Sequence, residues 1–331
     1  MKALVTGVAG FIGSNLAREL LSEGHDVIGV DNLNDYYSKD LKNLRLLSLT
    51  EYASFHFRNI DLTDRLEINR LVRDLNPDYI YHLAAQAGVR LPVESYDKYL
   101  DSNLTGFSNI ALAAAQFGIK NFLYASSSSV YGDSTQLPYI ETEQGLTQVS
   151  FYGATKYANE ILAHSIGYSS QTKFRGLRFF TVYGPMGRPD MAYFRLIHSA
   201  INGASFHLFG DGSLRRDFTF ISDVTASILL LGAELGNREG RHSDVVNVGG
   251  GKPNSMSELI SCINDVTGKK IEIVVENSAP GDVRETVADH SLQYELTGFV
   301  PQVSLQEGIE LVYQWAKLPD VQSKLESWIH S

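Results

Sequence analysis

Residues Lys2–Asp31 read KALVTGVAGFIGSNLARELLSEGHDVIGVD. A short apolar strand, KALVT, runs into the turn Gly7-Val8-Ala9-Gly10-Phe11-Ile12-Gly13. The amphipathic stretch FIGSNLARELLSE follows, and a second apolar strand, DVIGV, stops at Asp31. Strand, glycine turn, helix and strand in that order predict a βαβ unit with parallel strands. Glycines in such a turn allow a tight bend and a close approach of backbone to a pyrophosphate, whose charge suits the N-terminus of the next helix. Three glycines alone are weak evidence, because any strand-to-helix turn can use them. Asp31 strengthens the reading. A carboxylate at the end of the second strand accepts hydrogen bonds from an adenosine ribose and repels a 2′-phosphate. Asn32-Leu33-Asn34 brings no arginine to accommodate that phosphate, so NAD is favoured over NADP.

The same alternation continues outward. ASFHFR, PDYIYHLA, KNFLYAS and FRGLRFF read as further strands. DRLEINRLVRDL, the long segment 96–117 and the segment 151–168 read as helices between them. This predicts an α/β fold, a doubly wound and mostly parallel sheet of the Rossmann type covered on both faces. Asp61-Leu62, after the third strand, sit where they can border an adenine, although Asp61 serves equally well as a helix cap in the DLTD turn. Leu83-Ala84-Ala85 end the fourth strand with small side chains, which suits either a dinucleotide lying there or plain packing. After residue 181 glycine and proline cluster in VYGPMGRPD and LFGDGS, and the elements shorten. The expected division is a cofactor domain over 1–181 carrying the reacting groups. A smaller α/β domain over 182–331, mainly substrate-binding, would interleave with it.

Composition narrows the classes. The chain has 331 residues, 44% of them apolar and 20% charged, as is ordinary for a globular protein. Its formal charge is −10, with no basic run, which argues against nucleic acid or an anionic membrane as partner. One cysteine, Cys262, rules out an internal disulfide and any cysteine-rich metal cluster. No metal site is expected. Met1-Lys2 leads straight into a strand without a secretory leader, and no apolar run is long enough to span a bilayer, so a cytoplasmic location is expected.

Ser127, Ser128 and Ser129 follow the strand KNFLYAS, at the carboxyl edge where open parallel sheets bind ligands. Tyr152 and Lys156 lie one helical turn apart in FYGATKYANE. A lysine so placed can make a phenol more acidic, and such a phenol can take the proton of a secondary alcohol while an oxidised cofactor takes the hydride. Taken singly, the serines also read as a loop and the Tyr-Lys pair as a surface pair. Their order along the chain, after the glycine turn and Asp31, joins them into one site.

Read together, GVAGFIG, DNLNDYY, HLAAQAGVR, SSSSVYG, YGATKYANE, LRFFTVYGPMGRPDMA and RRDFTFISDV give the chain a resemblance over essentially its whole length. It resembles the extended short-chain dehydrogenase/reductases of the nucleotide-sugar epimerase group, the UDP-glucuronate 4-epimerases above all. The glycine turn and Y-x-x-x-K mark only the superfamily, whereas DNLNDYY, AAQAGVR and GPMGRPDMA are more particular. The resemblance implies that Ser127 pairs with the catalytic base Tyr152, that Lys156 also holds the nicotinamide ribose, and that Asn103 lies near the cofactor. It implies that Thr181 stands near the substrate diphosphate, and that Arg188 faces a sugar carboxylate with Ser128 and Ser129 as further donors. Arg195, Arg216 and Arg90 would serve the nucleotide, and Arg284, in APGDVRETVAD, the diphosphate. It also implies a homodimer through helices 96–117 and 151–168, and a C4 epimerisation of UDP-glucuronic acid through a transient 4-keto sugar.

Neighbouring activities differ at a few positions. Sugar-nucleotide 4,6-dehydratases place Asp-Glu after the strand-end threonine, and UDP-glucuronate decarboxylases place a glutamate in the serine loop. This chain has Ser127-Ser128-Ser129 and no carboxylate there. A neutral-sugar 4-epimerase would share the catalytic core; the arginine of GPMGRPD and the serine tract favour the uronate. A catalytically silent NAD sensor or assembly protein has little use for Ser127, Tyr152 and Lys156 together.

Overall fold

The first βαβ unit forms where the sequence sets it, with β1 at Lys2–Thr6, α1 at Phe11–Ser22 and β2 at Asp26–Asp31. The structure is a computed structural model, and it describes residues 1–143, 145–277 and 283–329. Next come α2 (Lys39–Leu49), β3 (Phe55–Asn59), α3 (Arg65–Leu75) and β4 (Tyr79–His82). The segment 96–117 becomes a short α4 (Asp97–Tyr99), a π-helical stretch over Leu100–Gly106 and α5 (Phe107–Gln116). Then follow β5 (Asn121–Ser127), α6 (Phe151–Ser169), β6 (Lys173–Phe179) and β7 (Thr181–Tyr183). The second half adds α7 (Ala192–Asn202), β8 (Phe206–Phe209), β9 (Arg215–Phe220), α8 (Ile221–Asn237) and β10 (Ser243–Val248). It continues with β11 (Pro253–Ser255), α9 (Met256–Thr267), β12 (Ile273–Glu276), α10 (Ser291–Thr297) and α11 (Leu305–Ala316).

Seven strands form one sheet in the order β10-β6-β5-β4-β1-β2-β3, with every neighbouring pair parallel. The chain winds outward from β1 through β2 to β3, then returns to the other side of β1 with β4. That reversal opens a crevice between the carboxyl ends of β1 and β4, where ligands of open α/β sheets bind. Successive strand residues face opposite sides: Ala3 and Val5 enter the core under α1 and α8, while Leu4 enters the core under α3 and α5. Burial on both faces explains why the strands read as near-continuous apolar runs.

β6 is buried at every position even though it carries Lys173, Arg175 and Arg178. Each cation is matched. Arg175 pairs with Glu234 at 2.5 Å and Asp244 at 2.6 Å, Arg178 pairs with Glu160 at 2.8 Å, and Lys173 donates to three backbone carbonyls. The smaller sheets are β11-β9-β7 and β12-β8. β10 comes from the second half of the chain, yet it forms an edge of the large sheet beside β6. No helix among the described residues is long and apolar enough to cross a membrane.

The sequence does not announce α2, β7, β9, β11 or α10. The buried side of α2 consists of Leu41, Lys42, Arg45, Leu46 and Leu49, so two cations interrupt the apolar stripe by which a helix is recognised. β9 is masked in the same way by Arg215, Arg216 and Asp217.

Candidate active site

The carboxyl ends of the large sheet and the strands β7 and β9 enclose a cleft of about 770 Å³. Its floor is the glycine turn. Gly7 has φ +70°, a left-handed conformation suited to glycine, and a Cβ there would lie 2.6 Å from the Ala84 nitrogen. A Cβ on Gly13 would lie 2.2 Å from the Gly7 carbonyl oxygen, so α1 packs directly on the turn. Ala84 is held in place by its N–H, which donates to the Thr6 hydroxyl at 3.3 Å; that hydroxyl also pairs with His82 Nδ1 at 2.8 Å. Burial pushes the His82 imidazole down to about 3, so it stays neutral. Gly10 caps α1 without a side-chain hydrogen bond, and the first turn carries no acidic residue. The positive end of the helix is thus left to an anion.

Asp31 stands beside this turn. Its Oδ2 accepts from the Ala9 N–H at 3.1 Å and its Oδ1 from the Leu33 N–H at 2.9 Å, which fixes the carboxylate while leaving lone pairs for a ribose. Asn32 donates to Asp61 Oδ2 at 2.8 Å, and Thr63 donates twice to Asp61 Oδ1. Burial would raise the Asp61 carboxyl, but the bonds from Asn32 and Thr63 hold it below the usual range. Asp61 thus lines the cleft as a turn residue, and the helix cap is Asp64 instead, whose side chain accepts from the Glu67 N–H at 3.0 Å. Phe11, Ile12, Leu62, Leu83 and Ala85 complete this half of the cleft. A glycine cradle, a helix N-terminus and a fixed carboxylate together fit an adenine dinucleotide.

Ser127, Tyr152 and Lys156 meet at the other half. Ser127 ends β5, and its hydroxyl oxygen accepts from the Ser129 N–H at 3.1 Å, which leaves its own proton for the Tyr152 phenol. Tyr152 lies in the first turn of α6, whose cap Ser150 accepts from the Gly153 N–H at 3.0 Å. Burial raises the Tyr152 phenol, while the charge of Arg188 and the Ser127 bond oppose the rise. Lys156 takes a different course from the expected one. Its Nζ donates to the Ala125 carbonyl at 3.0 Å and sits 5.9 Å from the Tyr152 ring centre. Burial pushes its ammonium down to about 7. The groups that favour the phenolate here are Arg188 and Ser127, rather than the lysine.

Thr181, Arg188, Arg90, Arg216, Ser128 and Ser129 all line the same cleft. Arg188 is held by Asp190, with Nε to Oδ1 at 3.0 Å and Nη2 to Oδ2 at 2.6 Å. Asn103 does not reach the cleft. It is buried in the π-helical stretch, where Oδ1 accepts from the Gln86 N–H at 2.8 Å and Nδ2 donates to Thr155 at 3.1 Å. Its carbonyl accepts from Asn159 Nδ2 at 2.7 Å, so Asn103 stitches α6 to the loop after β4. Arg195, on α7, and Arg284 are exposed and lie outside the lining, although Val283 and Thr286 contribute to it. The residues Ala279–Asp282 that open APGDVRETVAD fall outside the described residues.

Several residues at the site carried no recognisable signal alone. Arg45 is fully buried and donates to the Ala9 carbonyl at 3.0 Å, to the Tyr37 hydroxyl at 2.6 Å, and to the Met186 and Gly187 carbonyls at 2.7 to 3.0 Å. It ties the glycine turn to the loop carrying Arg188. Tyr36 and Asp190 sit inside DNLNDYY and GPMGRPDMA, and only their convergence in space gives them meaning.

The NAD dependent epimerase/dehydratase family model matches residues 3–249. A UDP-glucuronate 4-epimerase of Thermodesulfobacterium geofontis is 38% identical over 315 residues, covering 95% of this chain and 95% of that one. The solved UDP-glucuronic acid 4-epimerase of Bacillus cereus, in complex with UDP-glucuronic acid and NAD, superposes with a TM-score of 0.88 at 34% identity, over 96% of this chain and 99% of that one. The UDP-glucose 4-epimerase of Thermotoga maritima, solved with UDP-glucose, gives 0.85 at 29% identity, over 95% and 98%.

Proposed function

The chain belongs to the NAD-dependent epimerase/dehydratase family and takes NAD as its cofactor, and from that premise we propose that it interconverts UDP-glucuronic acid and UDP-galacturonic acid by inverting C4. The observation that carries this reading is the arginine of the GRPD loop sharing one cleft with the proton-transferring tyrosine. Arg188 is the strongest influence opposing the burial of the Tyr152 phenol. It offers a fork that suits a carboxylate.

In this reading Gly7, Gly10, Phe11, Ile12 and Gly13 receive the pyrophosphate, Asp31 and Asn32 hold the adenosine ribose, and Asp61, Leu62, Leu83, Ala84 and Ala85 border the adenine side. Bound there, NAD supplies a reversible hydride acceptor at the sugar C4. Tyr152 removes the C4 hydroxyl proton, with Ser127 donating to the developing phenolate. Lys156 orients the nicotinamide ribose, and Asn103 steadies α6 through the side chains of Thr155 and Asn159. The same phenol then returns the proton to a ring that has turned to present its other face. Thr181, Arg216 and Arg90 keep hold of the nucleotide during the turn. Arg188, Ser128 and Ser129 direct the carboxylate, which as a β-keto acid would otherwise lose carbon dioxide if its breaking bond aligned with the carbonyl.

A neutral-sugar 4-epimerase is the second reading, and the Arg188–Asp190 pair favours it, because a compensated guanidinium does not demand an anionic partner. A decarboxylase finds no carboxylate at Ser128 or Ser129. Proton NMR of products from a panel of UDP-, dTDP- and CDP-sugars separates these. Inversion of UDP-glucuronic acid with the carboxyl carbon kept supports the uronate reading, and inversion of UDP-glucose alone refutes it. We also infer a homodimer through 96–117 and 151–168, supported by exposed Leu100, Leu112, Ile161, Leu162 and Tyr168 on those helices. Light scattering at the monomer mass would refute it.

A further inference from the structure

Three sequence motifs set apart above for their particularity meet at one point. Tyr36 of DNLNDYY donates its hydroxyl to Asp190 Oδ2 at 3.4 Å. Gly88 of AAQAGVR lies so close that a Cβ there would be 2.2 Å from the Tyr36 hydroxyl oxygen. Asp190 and Arg188 belong to GPMGRPDMA and form the two-point pair described above. Tyr36 and Arg188 both line the reaction cleft.

The pair uses one edge of the guanidinium, Nε and Nη2. The other edge, Nη1 with the remaining hydrogen of Nη2, makes no hydrogen bond to a described residue, so it can meet a substrate carboxylate. Arg188 therefore presents direction with much of its charge already offset. Burial opposes the Arg188 charge, but Asp190 more than restores it, and Arg188 in turn holds the Asp190 carboxyl below its usual range. The pair stays ionised at working pH. Tyr36, pushed up to about 12, remains a neutral donor.

Taking the uronate reading as its basis, we propose that Asp190 is a positioning residue that offsets the charge of Arg188, so that the sugar carboxylate is gripped by geometry and released when the ring turns. A bare guanidinium would bind the carboxylate more tightly in its first orientation. That tighter grip would deepen the ground state and slow the turn, lowering KM and kcat together.

Asp190→Asn keeps the shape and removes the charge. Titration calorimetry on NAD-loaded protein in the Tyr152→Phe background reads binding without turnover. The substitution is expected to tighten UDP-glucuronic acid by about tenfold and leave UDP-glucose within about twofold. In the active protein, KM and kcat for UDP-glucuronic acid are expected to fall together. Weakened UDP-glucuronic acid binding would overturn the proposal by making Asp190 a mere holder of Arg188, and equal shifts for both sugars would overturn it too. Should the Asn variant not fold, Asp190→Ser carries the same expectations. If the unsubstituted protein leaves UDP-glucuronic acid uninverted, the substrate reading falls and this proposal with it. If it inverts that sugar while Asp190→Asn fails to tighten binding, only the present proposal falls.

Discussion

In the proposed reaction two demands meet at Tyr152: burial disfavours a phenolate, and removal of the C4 hydroxyl proton needs one. The charge of Arg188 and the Ser127 bond oppose the effect of burial without cancelling it. Tyr152→Phe is expected to keep NAD while epimerisation drops by about 10²–10⁴-fold, because cofactor contacts and proton transfer use different groups. NAD retention with undiminished turnover would remove Tyr152 from the chemistry. Arg188→Ala is expected to cost UDP-glucuronic acid far more kcat/KM than UDP-glucose, and equal losses would deny it a carboxylate role. Lys156 gives a pH test. Its folded ammonium releases its proton near 7, against an ordinary 10.5, so the unfolded chain binds more protons between those values. Stability should therefore rise with pH across that window and show no Lys156 slope below it. Lys156→Met should flatten the rise in denaturant midpoints, and an unchanged slope would contradict the burial of the charge. The sequence disclosed Tyr152 and Lys156 through their spacing, but not that Lys156 turns its Nζ to the Ala125 carbonyl, since that depends on where β5 ends.

At the scale of elements, α2 is the piece that sequence patterning concealed and the site depends on. Its inward face carries Arg45, whose guanidinium satisfies carbonyls from the glycine turn and from the Arg188 loop at once. Arg45→Met would leave those carbonyls unpaired in a dry interior, at a cost of about 2–4 kcal/mol. The expected signature is a lower denaturant midpoint with an unchanged slope, accompanied by weaker NAD binding. Unaltered stability would mean that water satisfies the carbonyls. The π-helical stretch around Asn103 was equally hidden, because its residues continue a helical pattern and only the backbone widens. By contrast, α1, β1 and β2 were legible because glycine turn, apolar periods and Asp31 all point to the same local structure.

Over the whole molecule, the alternation of strands and helices disclosed the parallel sheet, and the glycine turn disclosed the place where its winding reverses. The return of β10 to the edge of the large sheet was beyond local pattern, since a strand does not state which sheet it will join. The cleft follows from that architecture, one half built from the ends of β1 to β4 and the other from β5, α6, β7 and β9; the proposed reading gives the first to NAD and the second to the sugar. The central claim is that hydrogen leaves and returns to C4 while the proton moves separately through Tyr152. UDP-glucuronic acid carrying deuterium at C4, incubated in ordinary water and followed by NMR, tests it most directly. The expected product is UDP-galacturonic acid with the deuterium still on C4 and the carboxyl carbon in place. Deuterium lost to water, or a five-carbon sugar in place of the uronate, would contradict it.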